Sequence, residues 1–333
     1  MKKNKIVAGI IGRNFGYKVL YKALLRTKKF NIKAISFKSK KKKKITMDLT
    51  FLSDWRKIIL DKKIKAIIIA SPPNTHKKII SFAIKNNKHI FCEKPCTISF
   101  SNIVDLINQI NNKKNFISHA VNYEMLNIEA FKKLKSIIIK KKNQPLLIKI
   151  NWNILNRTDI NNWKNFHNKG GGLVFNYYCH TLYYLNKLFG NIKILKIYKK
   201  FNIFKHNRTF KVKLVLNNKI PCLINIKSSK KLSLNDLYHK IIVKTKTSDY
   251  VLSSKTKTIY DNFSLLKISK RKKIRNIYRK IIKEDFRIAP SQKNLTKFAL
   301  SIKRKKTMSP NFNDAKSIHL LINKSIENSI FKK

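Results

Sequence analysis

The sequence predicts an α/β protein of two domains: a doubly wound parallel sheet, then an α+β domain whose open sheet is mostly antiparallel. Three observations support this fold class. The 333 residues are enough for two domains at about 100 to 200 residues each. Up to residue 122, short apolar runs alternate with helical patterns, which is typical of parallel strands joined by crossover helices. After residue 122, strand-like runs follow one another without intervening helices.

The first domain, residues 1–122, consists of strands and helices in alternation. The run KAIIIA at residues 65–70 is the strongest strand signal, because central parallel strands are apolar on both faces. The other strands are predicted at 5–11, 32–37, 89–93 and 116–120. Helices are predicted at 15–26, 54–60, 76–85 and 101–110, with Ser53 as the N-cap of the second.

The second domain, residues 123–333, begins with a helix at 128–140 and is otherwise rich in strands. Strands are predicted at 146–153, 192–198, 209–216, 221–227, 240–244 and 250–253. Two closing helices, at 291–303 and 313–329, show apolar residues at helical spacing and can pack back on the first domain. The segment 264–287 is too basic to assign.

The charge is unusual, but its distribution argues against nucleic-acid binding. Lys and Arg total 76 against 15 Asp and Glu, a formal net charge of +61. The cations are spread along the chain, and 66 are Lys while only 10 are Arg, the residue that reads phosphates with a bidentate fork. Abundant Lys, Asn, Ile, Phe and Tyr with only 7 Gly is the pattern of A- and T-rich codons. We therefore predict no nucleic-acid partner.

Simple patterns exclude several other classes. No segment reaches the roughly 18 apolar residues that span a bilayer, so no membrane partner is expected. Arg13 interrupts the first apolar run and no small-residue cleavage site follows, so we expect no signal peptide and a cytoplasmic location. Four cysteines in so long a chain make no disulfide framework. His89, Cys92 and Cys96 are better explained as a strand end and its loop than as metal ligands, and we predict no metal.

The first glycine cluster predicts a phosphate-binding turn. Gly12, Arg13, Asn14, Phe15 and Gly16 lie between the first strand and the first helix, where a Rossmann fold binds dinucleotide phosphates on helix N–H groups. The spacing departs from G-x-G-x-x-G. We expect Asn14 to adopt the left-handed conformation in place of a glycine, and Gly16 to allow a close helix approach. The alternative is an ordinary tight turn.

The residues at the end of the second predicted strand indicate which nicotinamide cofactor is preferred. An Asp or Glu there would hold the ribose 2′-hydroxyl of NAD, and none is present. Ser36, Lys38, Ser39 and Lys40 instead form a cationic set suited to a 2′-phosphate. We predict that NADP is preferred and that NAD is also accepted, with solvated surface charge as the alternative explanation of the lysines.

Two motifs lie at strand ends, the edge at which parallel sheets bind ligands. SPPNTH at residues 71–76 follows the third predicted strand, and EKP at 93–95 follows the next. GGGLVFNYYCH at 170–180 and PNFNDA at 310–315 come later in the chain. In this order, together with GRNFG, these segments resemble the Gfo/Idh/MocA oxidoreductases, the family of glucose-fructose oxidoreductase and inositol dehydrogenase.

The resemblance implies a Rossmann domain followed by a C-terminal α/β domain whose open sheet often forms an oligomer interface. It also implies the activity, which is hydride transfer between a nicotinamide and a hydroxyl carbon of a sugar, polyol or nucleotide sugar. Lys94 matches the family's active-site lysine, which would orient the substrate hydroxyl. His180 matches the histidine that would be the general base in oxidation or the acid in reduction. A buried structural histidine is the alternative for His180. A homo-oligomer, dimer or tetramer, is expected.

Further site residues follow from the turn and from the resemblance. Expected cofactor contacts are Gly12, Arg13, Asn14, Phe15, Gly16, Lys38, Ser71, Pro72, Asn74, His76, Glu93 and Lys94. Expected substrate contacts are Asn122, Tyr123, Arg157, Trp163 and Asn176.

The chain departs from the family at two acids. Many relatives have Asp four residues before the histidine and another three residues after it, where this chain has Asn176 and Tyr183. Asn176 can hydrogen-bond a hydroxyl but cannot take its proton, so proton transfer falls on His180, with Tyr177 and Tyr178 as further candidates. Tyr178 replaces a common glycine and is expected to narrow the pocket. The alternative function is a non-catalytic nucleotide-binding or regulatory relative that has lost turnover.

Overall fold

The computed structural model describes residues 5–37, 49–156, 162–202, 207–233, 236–254, 263–281, 284–327 and 329–331. The chain forms two compact units. Unit 1 comprises Met1–Glu124, Phe166–Gly171 and Arg287–His319. Unit 2 comprises Met125–Asn165, Gly172–Phe286 and Leu320–Lys333.

Unit 1 contains a six-stranded sheet in which every neighbouring pair is parallel. Its strands are β1 Ile6–Ile11, β2 Phe30–Ser36, β3 Thr50–Leu52, β4 Ala66–Ile69, β5 His89–Cys92 and β6 His119–Val121. They lie in the order β3-β2-β1-β4-β5-β6, so the chain starts at the centre and winds outward on both sides. The predicted doubly wound parallel sheet is confirmed. All four residues of β4 are buried, as an apolar central strand requires.

Unit 2 contains a nine-stranded sheet in the order β14-β13-β12-β11-β7-β10-β9-β8-β15. The strands are β7 Leu147–Leu155, β8 Ile192–Asn202, β9 Asn207–Leu216, β10 Ile220–Ser229, β11 Tyr238–Lys244, β12 Ser248–Ser254, β13 Phe263–Ser269, β14 Ile274–Tyr278 and β15 Ser329–Phe331. The pairs β7–β10 and β8–β15 are parallel and the others antiparallel, which confirms a mostly antiparallel sheet. Buried residues alternate along β7, so one face of the strand is covered.

The α-helices are α1 Lys22–Thr27, α2 Trp55–Leu60, α3 His76–Lys85, α4 Phe100–Asn111, α5 Glu129–Ile138, α6 Cys179–Phe189, α7 Ile288–Arg304 and α8 Phe312–Glu327. The predicted cap of α2 is wrong by one residue. Asp54, not Ser53, is the N-cap, and its carboxylate accepts the Arg56 N–H at 3.0 Å. A carboxylate is favoured there by the helix dipole. Over the described residues, no helix combines the length and the apolar character needed to cross a membrane.

Helix α7 completes the core of unit 1, although it is remote in sequence from the strands it covers. The Phe298 ring lies 6.2 Å from the ring of Phe30 and 5.6 Å from that of Phe91, measured between centroids. Leu20 and Leu24 join the same buried cluster. Each such fully buried side chain contributes about 2 kcal/mol. The late helix is therefore a structural part of unit 1, next to the strand ends that carry the predicted motifs.

Candidate functional site

The turn after β1 can only be made by glycine at position 12. Gly12 has a φ of +126°, and a Cβ there would lie 2.3 Å from the carbonyl carbon and oxygen of Ala70. Its N–H donates to the Ser36 carbonyl at 2.8 Å, which ties the turn to the end of β2. A Cβ at Gly16 would lie 3.2 Å from Ile10 Cγ2, so the helix does approach the sheet closely. Glycine is thus required where the backbones of β1 and β4 nearly touch.

The expected left-handed conformation of Asn14 is wrong. Asn14 and Phe15 are helical, and a π-helical segment, Gly16–Tyr21, continues directly from them into α1. The Tyr17 N–H donates to the Arg13 carbonyl at 2.8 Å. Asn14 already belongs to the first helical turn, so the helix starts two residues after Gly12 without a left-handed residue at position 14.

Two arginines flank this turn, each over an aromatic ring. The Arg13 guanidinium lies 5.3 Å from the centre of the Phe37 ring, at the tip of β2. The Arg287 guanidinium lies 5.0 Å from the centre of the Phe15 ring. Arg13 is exposed, so a cation stands beside the end of β2. Lys38, Ser39 and Lys40 lie outside the described residues.

The loop after β4 is held from inside by His76. Its Nδ1 is 3.0 Å from the Pro95 carbonyl oxygen, and its Nε2 is 2.9 Å from the Ser71 carbonyl oxygen. The ring is fully buried, and burial lowers its pKa. Its two ring nitrogens join the SPPNTH loop to the EKP loop. The expected contact of His76 with the cofactor stays a prediction.

The exposed residues of the SPPNTH loop are Pro72 and Asn74, and Ser71 is half-buried. The Ser71 hydroxyl lies 2.7 Å from the Thr75 hydroxyl, which in turn donates to the Pro72 carbonyl at 2.7 Å. These bonds fold the loop into a short 3₁₀ turn, Pro73–Thr75, directly before α3. The three expected contact residues therefore lie on one ordered loop at the carboxyl end of β4.

Backbone hydrogen bonds bring the ends of β4, β5 and β6 together. The Glu93 N–H donates to the Ile69 carbonyl and the Asn122 N–H to the Cys92 carbonyl, both at 2.8 Å. Lys94, the next residue after Glu93, is half-buried, while Glu93 is buried with 9% of its surface exposed. The carboxyl edge of the sheet thus presents the lysine and turns the glutamate inward.

Asn122 is fully buried within unit 1, and its contact with substrate, expected from the resemblance, stays a prediction. Its amide nitrogen donates to Glu93 Oε1 at 2.6 Å and to Ser291 Oγ at 3.0 Å. The Asn294 amide donates to Asn122 Oδ1 at 3.1 Å. Tyr123 is also buried, and its contact with substrate stays a prediction.

The segment Phe166–Gly171 belongs to unit 1, against the loop after β4. Gly170 has a φ of +79°, and a Cβ there would lie 2.5 Å from Pro73 Cβ and 3.0 Å from Ile98 Cγ2. A side chain would therefore push the segment away from the sheet edge. The first glycine of the triplet is required by this close approach.

In unit 2, His180 lies on α6, directly after a second π-helical segment, Val174–Tyr178. The side chain is buried, with 6% of its surface exposed. Its neighbour Thr181 accepts a hydrogen bond from Trp152 Nε1 at 3.1 Å. Trp152 stacks on the His239 ring at 3.6 Å between centroids. The helix that carries His180 is therefore fixed to β7 and β11 through buried polar contacts.

Asn176 and Trp163 are brought together at the start of this helical region. The Asn176 amide donates to the Lys164 carbonyl at 3.0 Å, which ties it to the short 3₁₀ turn Trp163–Asn165. Both side chains are half-buried. Arg157 lies outside the described residues.

Tyr178 does not line a pocket, contrary to the expectation from the sequence. Its ring is fully buried, and its hydroxyl lies 3.1 Å from Ser325 Oγ. Burial raises its pKa far above the usual value, so the phenol stays protonated. Tyr178 is therefore a core residue and not a proton-transfer group. Within the described parts of the chain, no three His, Cys, Asp or Glu side chains are grouped as metal ligands.

Family models match both halves of the chain. An oxidoreductase-family model described as an NAD-binding Rossmann fold matches residues 6–121, and the model of the same family's C-terminal alpha/beta domain matches residues 140–319. The chain belongs to the Gfo/Idh/MocA oxidoreductase family. Membership makes it an NAD(P)-dependent oxidoreductase, and the resemblance drawn from the motifs is confirmed.

Individual Gfo/Idh/MocA relatives and solved structures agree with this assignment. The chain is 26% identical to an oxidoreductase of Synechocystis over 249 residues, covering 68% of this chain and 67% of the relative. It is similar in fold to levoglucosan dehydrogenase in complex with NADH, with a TM-score of 0.78, 17% identity and 98% of each chain covered. It is also similar in fold to a 3-ketoreductase from Actinomadura kijaniata in complex with NADP and TDP-benzene, with a TM-score of 0.81 and 11% identity, covering 99% of this chain and 100% of that chain.

Sequence reasoning missed several residues that hold the Gfo/Idh/MocA motifs in place. Ser291 and Asn294 reach Asn122 across about 170 residues, and the spacing along the sequence gives no signal of this contact. Thr181 and His239 fix α6, but neither belongs to a motif. The scarcity of arginine could have drawn attention to Arg287, because the chain has only 10 arginines.

Proposed function

We propose that this oxidoreductase prefers NADP and transfers a hydride between the nicotinamide and a hydroxyl carbon of a sugar, polyol or nucleotide sugar, with Lys94 and His180 as the reactive pair. The observation that carries the proposal is the Gly12 turn, which packs against Ala70 and Ser71 after β4, on a loop that His76 joins to the EKP loop at the same edge of the parallel sheet. The names of the fold neighbours, a levoglucosan dehydrogenase with NADH and a ketoreductase with NADP and a TDP compound, support this substrate class.

The residues at the sheet edge fit a dinucleotide. A Cβ at position 12 would clash with the Ala70 backbone, so the turn before the helix must stay bare. A helix N-terminus that follows such a turn offers free N–H groups to phosphate oxygens. Gly12, Arg13, Asn14 and Phe15 would hold the pyrophosphate. The nicotinamide, when bound, supplies the hydride acceptor or donor.

The remaining chemistry belongs to the chain's own residues. Lys94 would donate a hydrogen bond to the reacting oxygen and orient it, and its charge favours the oxyanion that forms as the proton leaves. His180 would take that proton in oxidation and return it in reduction, since imidazole serves in both directions near neutral pH. Asn176 would hydrogen-bond a second hydroxyl without exchanging a proton.

The preference for NADP is supported at the tip of β2. The sequence has no acid from residue 36 to 47, and the exposed Arg13 guanidinium stands over Phe37 at that tip. A charge-assisted hydrogen bond to a 2′-phosphate is worth about 1.5 to 3 kcal/mol, or roughly tenfold or more in affinity. Lys38, which the sequence also assigns to the phosphate, would add to it.

Fluorescence titration with NADPH and NADH tests the proposal. We expect tighter NADPH binding, and Arg13→Ala should lower the NADPH affinity about tenfold or more while changing the NADH affinity little. Arg26→Ala, an exposed arginine at the far end of α1, is the matched control. Tighter binding of NADH by the native chain would refute the preference. A panel of sugars, polyols and nucleotide sugars with the better cofactor then identifies the substrate.

A second candidate function is binding without turnover. The observation that favours it is Asn176, which stands where many relatives have an acid and whose amide is bound to the Lys164 carbonyl. Cofactor binding with no NADPH consumption across the whole panel would support this alternative. The cytoplasmic location and the homo-oligomeric state expected from the sequence stay predictions.

A further inference from the structure

A cavity of about 310 Å³ lies in unit 2, between the end of α5 and the strands β12, β13 and β14. Its volume is at the lower end of the roughly 300 to 1,000 Å³ of small-molecule sites. Over the described residues, no Asp or Glu lines it, whereas four of its lining residues are cations. The polar lining residues that matter here are Lys140, Lys142, Asn143, Tyr250, Lys267 and Arg275. The cavity therefore has the size and the charge to hold a small anion.

The buried part of the cavity wall is a fixed pair of polar side chains, Tyr250 and Asn143. The Tyr250 hydroxyl donates to Asn143 Oδ1 at 3.1 Å, and the Asn143 amide donates to the Ile137 carbonyl at 3.0 Å. The Asn143 backbone N–H also donates to the Lys140 carbonyl at 2.8 Å. These bonds tie the turn that carries Lys140 and Lys142 to both β12 and α5. The cavity wall is therefore held in place by the chain itself.

The strand register places two of the cations directly opposite each other. Lys267 on β13 pairs with Tyr250 on β12 and, on its other side, with Arg275 on β14. Paired residues of antiparallel strands lie on the same face of the sheet, so these three side chains form one row along the cavity. Like charges directly opposite each other destabilise a sheet. The sheet therefore carries a repulsion at this position that a bound anion would relieve.

Among the described residues, no carboxylate offsets this repulsion. None of the four cations forms an ion pair there. The nearest acid along β12, Asp249, lies on the opposite face from Tyr250 and pairs with Lys270 at 3.7 Å. Glu129 lies at the other end of α5 from Ile137, about 12 Å away along the helix axis. The counter-charge for this row is therefore expected from a ligand.

We propose that this cavity binds a small phosphorylated molecule, at a site separate from the Gly12 turn, which belongs to unit 1. The planar guanidinium of Arg275 would take two phosphate oxygens, with Lys267 beside it in the row. Lys140 and Lys142 would add charge from the turn after α5. A phosphate monoester carries about 1.5 to 2 negative charges near neutral pH, which suits several cations at once. The small volume selects a metabolite over a nucleic acid.

Isothermal titration calorimetry of the full chain with inorganic pyrophosphate tests the proposal. A constant ionic strength of about 0.15 M screens exposed charges beyond about 8 Å and so weakens the diffuse attraction of a chain with a net charge of +61. The double variant Lys267→Gln with Arg275→Gln should bind pyrophosphate at least tenfold more weakly, because it loses two charge-assisted hydrogen bonds. The Gly12 turn can also take pyrophosphate, so the difference between the native chain and this variant identifies the site.

The matched control is the double variant Arg271→Gln with Lys273→Gln. It removes one Arg and one Lys from the exposed turn between β13 and β14, outside the cavity lining, and should leave the affinity unchanged. Arg275→Gln alone, at an exposed position, covers the case in which the first double variant does not fold. Equal affinity losses in the two double variants, or no loss in either, would overturn the proposal. Tighter binding of citrate than of pyrophosphate would overturn the assignment to phosphate.

Thermal unfolding gives a second, independent readout. Without an anion, Arg275→Gln should unfold at the same temperature as the native chain or at a higher one, because it removes the repulsion with Lys267. With excess pyrophosphate the order should reverse, since a ligand that binds only the folded state raises the unfolding midpoint. A native midpoint at or below that of the variant at every pyrophosphate concentration would overturn the proposal. Neither measurement involves turnover, so this result leaves the proposed oxidoreductase function untouched.

Discussion

Replacing His239 should reduce the amount of unfolding free energy that unit 2 loses as the pH falls from 7 to 5. The ring is fully buried between aromatic side chains, stacked on Trp152 at 3.6 Å between centroids. Its Nε2 lies 3.1 Å from the Tyr184 hydroxyl, and over the described residues its Nδ1 has no hydrogen-bond partner. Burial lowers the pKa of His239 to about 3. A second proton on this ring would be both desolvated and unbonded.

The magnitude follows from proton linkage. In the unfolded chain a histidine has a pKa of about 6.5, so between pH 6.5 and about 3 the unfolded state binds a proton that the folded His239 does not. Stability is therefore lost as pH falls through this window. At pH 5, about 1.5 pH units below the unfolded value, His239 costs about 2 kcal/mol relative to pH 7 or above. This is a large share of a typical net stability of about 5 to 15 kcal/mol.

The assay is urea unfolding of the native chain and of His239→Gln at pH 7 and pH 5, followed by tryptophan fluorescence. We expect the pH-dependent loss of unfolding free energy to be about 2 kcal/mol smaller in His239→Gln, whatever the variant costs at both pH values. Glu93, whose raised pKa makes its contribution opposite in sign, is present in both proteins and cancels. His167→Gln, at an exposed histidine, is the control. Equal pH dependence in the native chain and in His239→Gln would refute the reasoning.

The other predictions concern the site directly. Gly12→Ala should weaken nicotinamide cofactor binding at least tenfold in a fluorescence titration, because its Cβ would lie 2.3 Å from backbone atoms at the end of β4; unchanged affinity would contradict the assigned turn. Lys94→Ala and His180→Ala should each lower turnover by roughly 10² while cofactor binding persists, and full activity in both would disprove the proposed pair. Tyr178→Phe should keep its activity and lose about 1 kcal/mol of unfolding free energy, because its hydroxyl bonds inside the core; a large loss of turnover would show that the hydroxyl takes part in catalysis.

The parallel sheet was predictable because its signals are local and redundant. The residues of β4 are all apolar and all buried, so their pattern in the sequence and their position in the sheet carry the same information. The helices between strands show apolar residues at helical spacing, as at His76–Lys85. Glycine is scarce in this chain, so the glycines that remain mark positions such as Gly12 where the backbone has no alternative.

Edge strands were the part of the fold that the sequence concealed. β14, Ile274–Tyr278, is exposed over its first three residues and lies at one end of its sheet, where no alternation of buried residues develops. β3, Thr50–Leu52, is too short to show a period. The parallel pairing of β7 with β10 depends on contacts about 70 residues apart, and a strand pattern does not encode its partner.

The direction of the side chains at the strand ends was the main feature of the site that the sequence did not predict. Glu93 and Lys94 are neighbours in one motif just after β5, yet the first is buried and bonded to the Asn122 amide, while the second is half-exposed. His76 and Asn122 likewise lie at the correct edge of the sheet but point inward, where they bond the loop and the late helix. A motif therefore locates the edge of the sheet at which ligands bind, whereas contacts remote in sequence, such as that of Asn294 with Asn122, determine which of its side chains are buried.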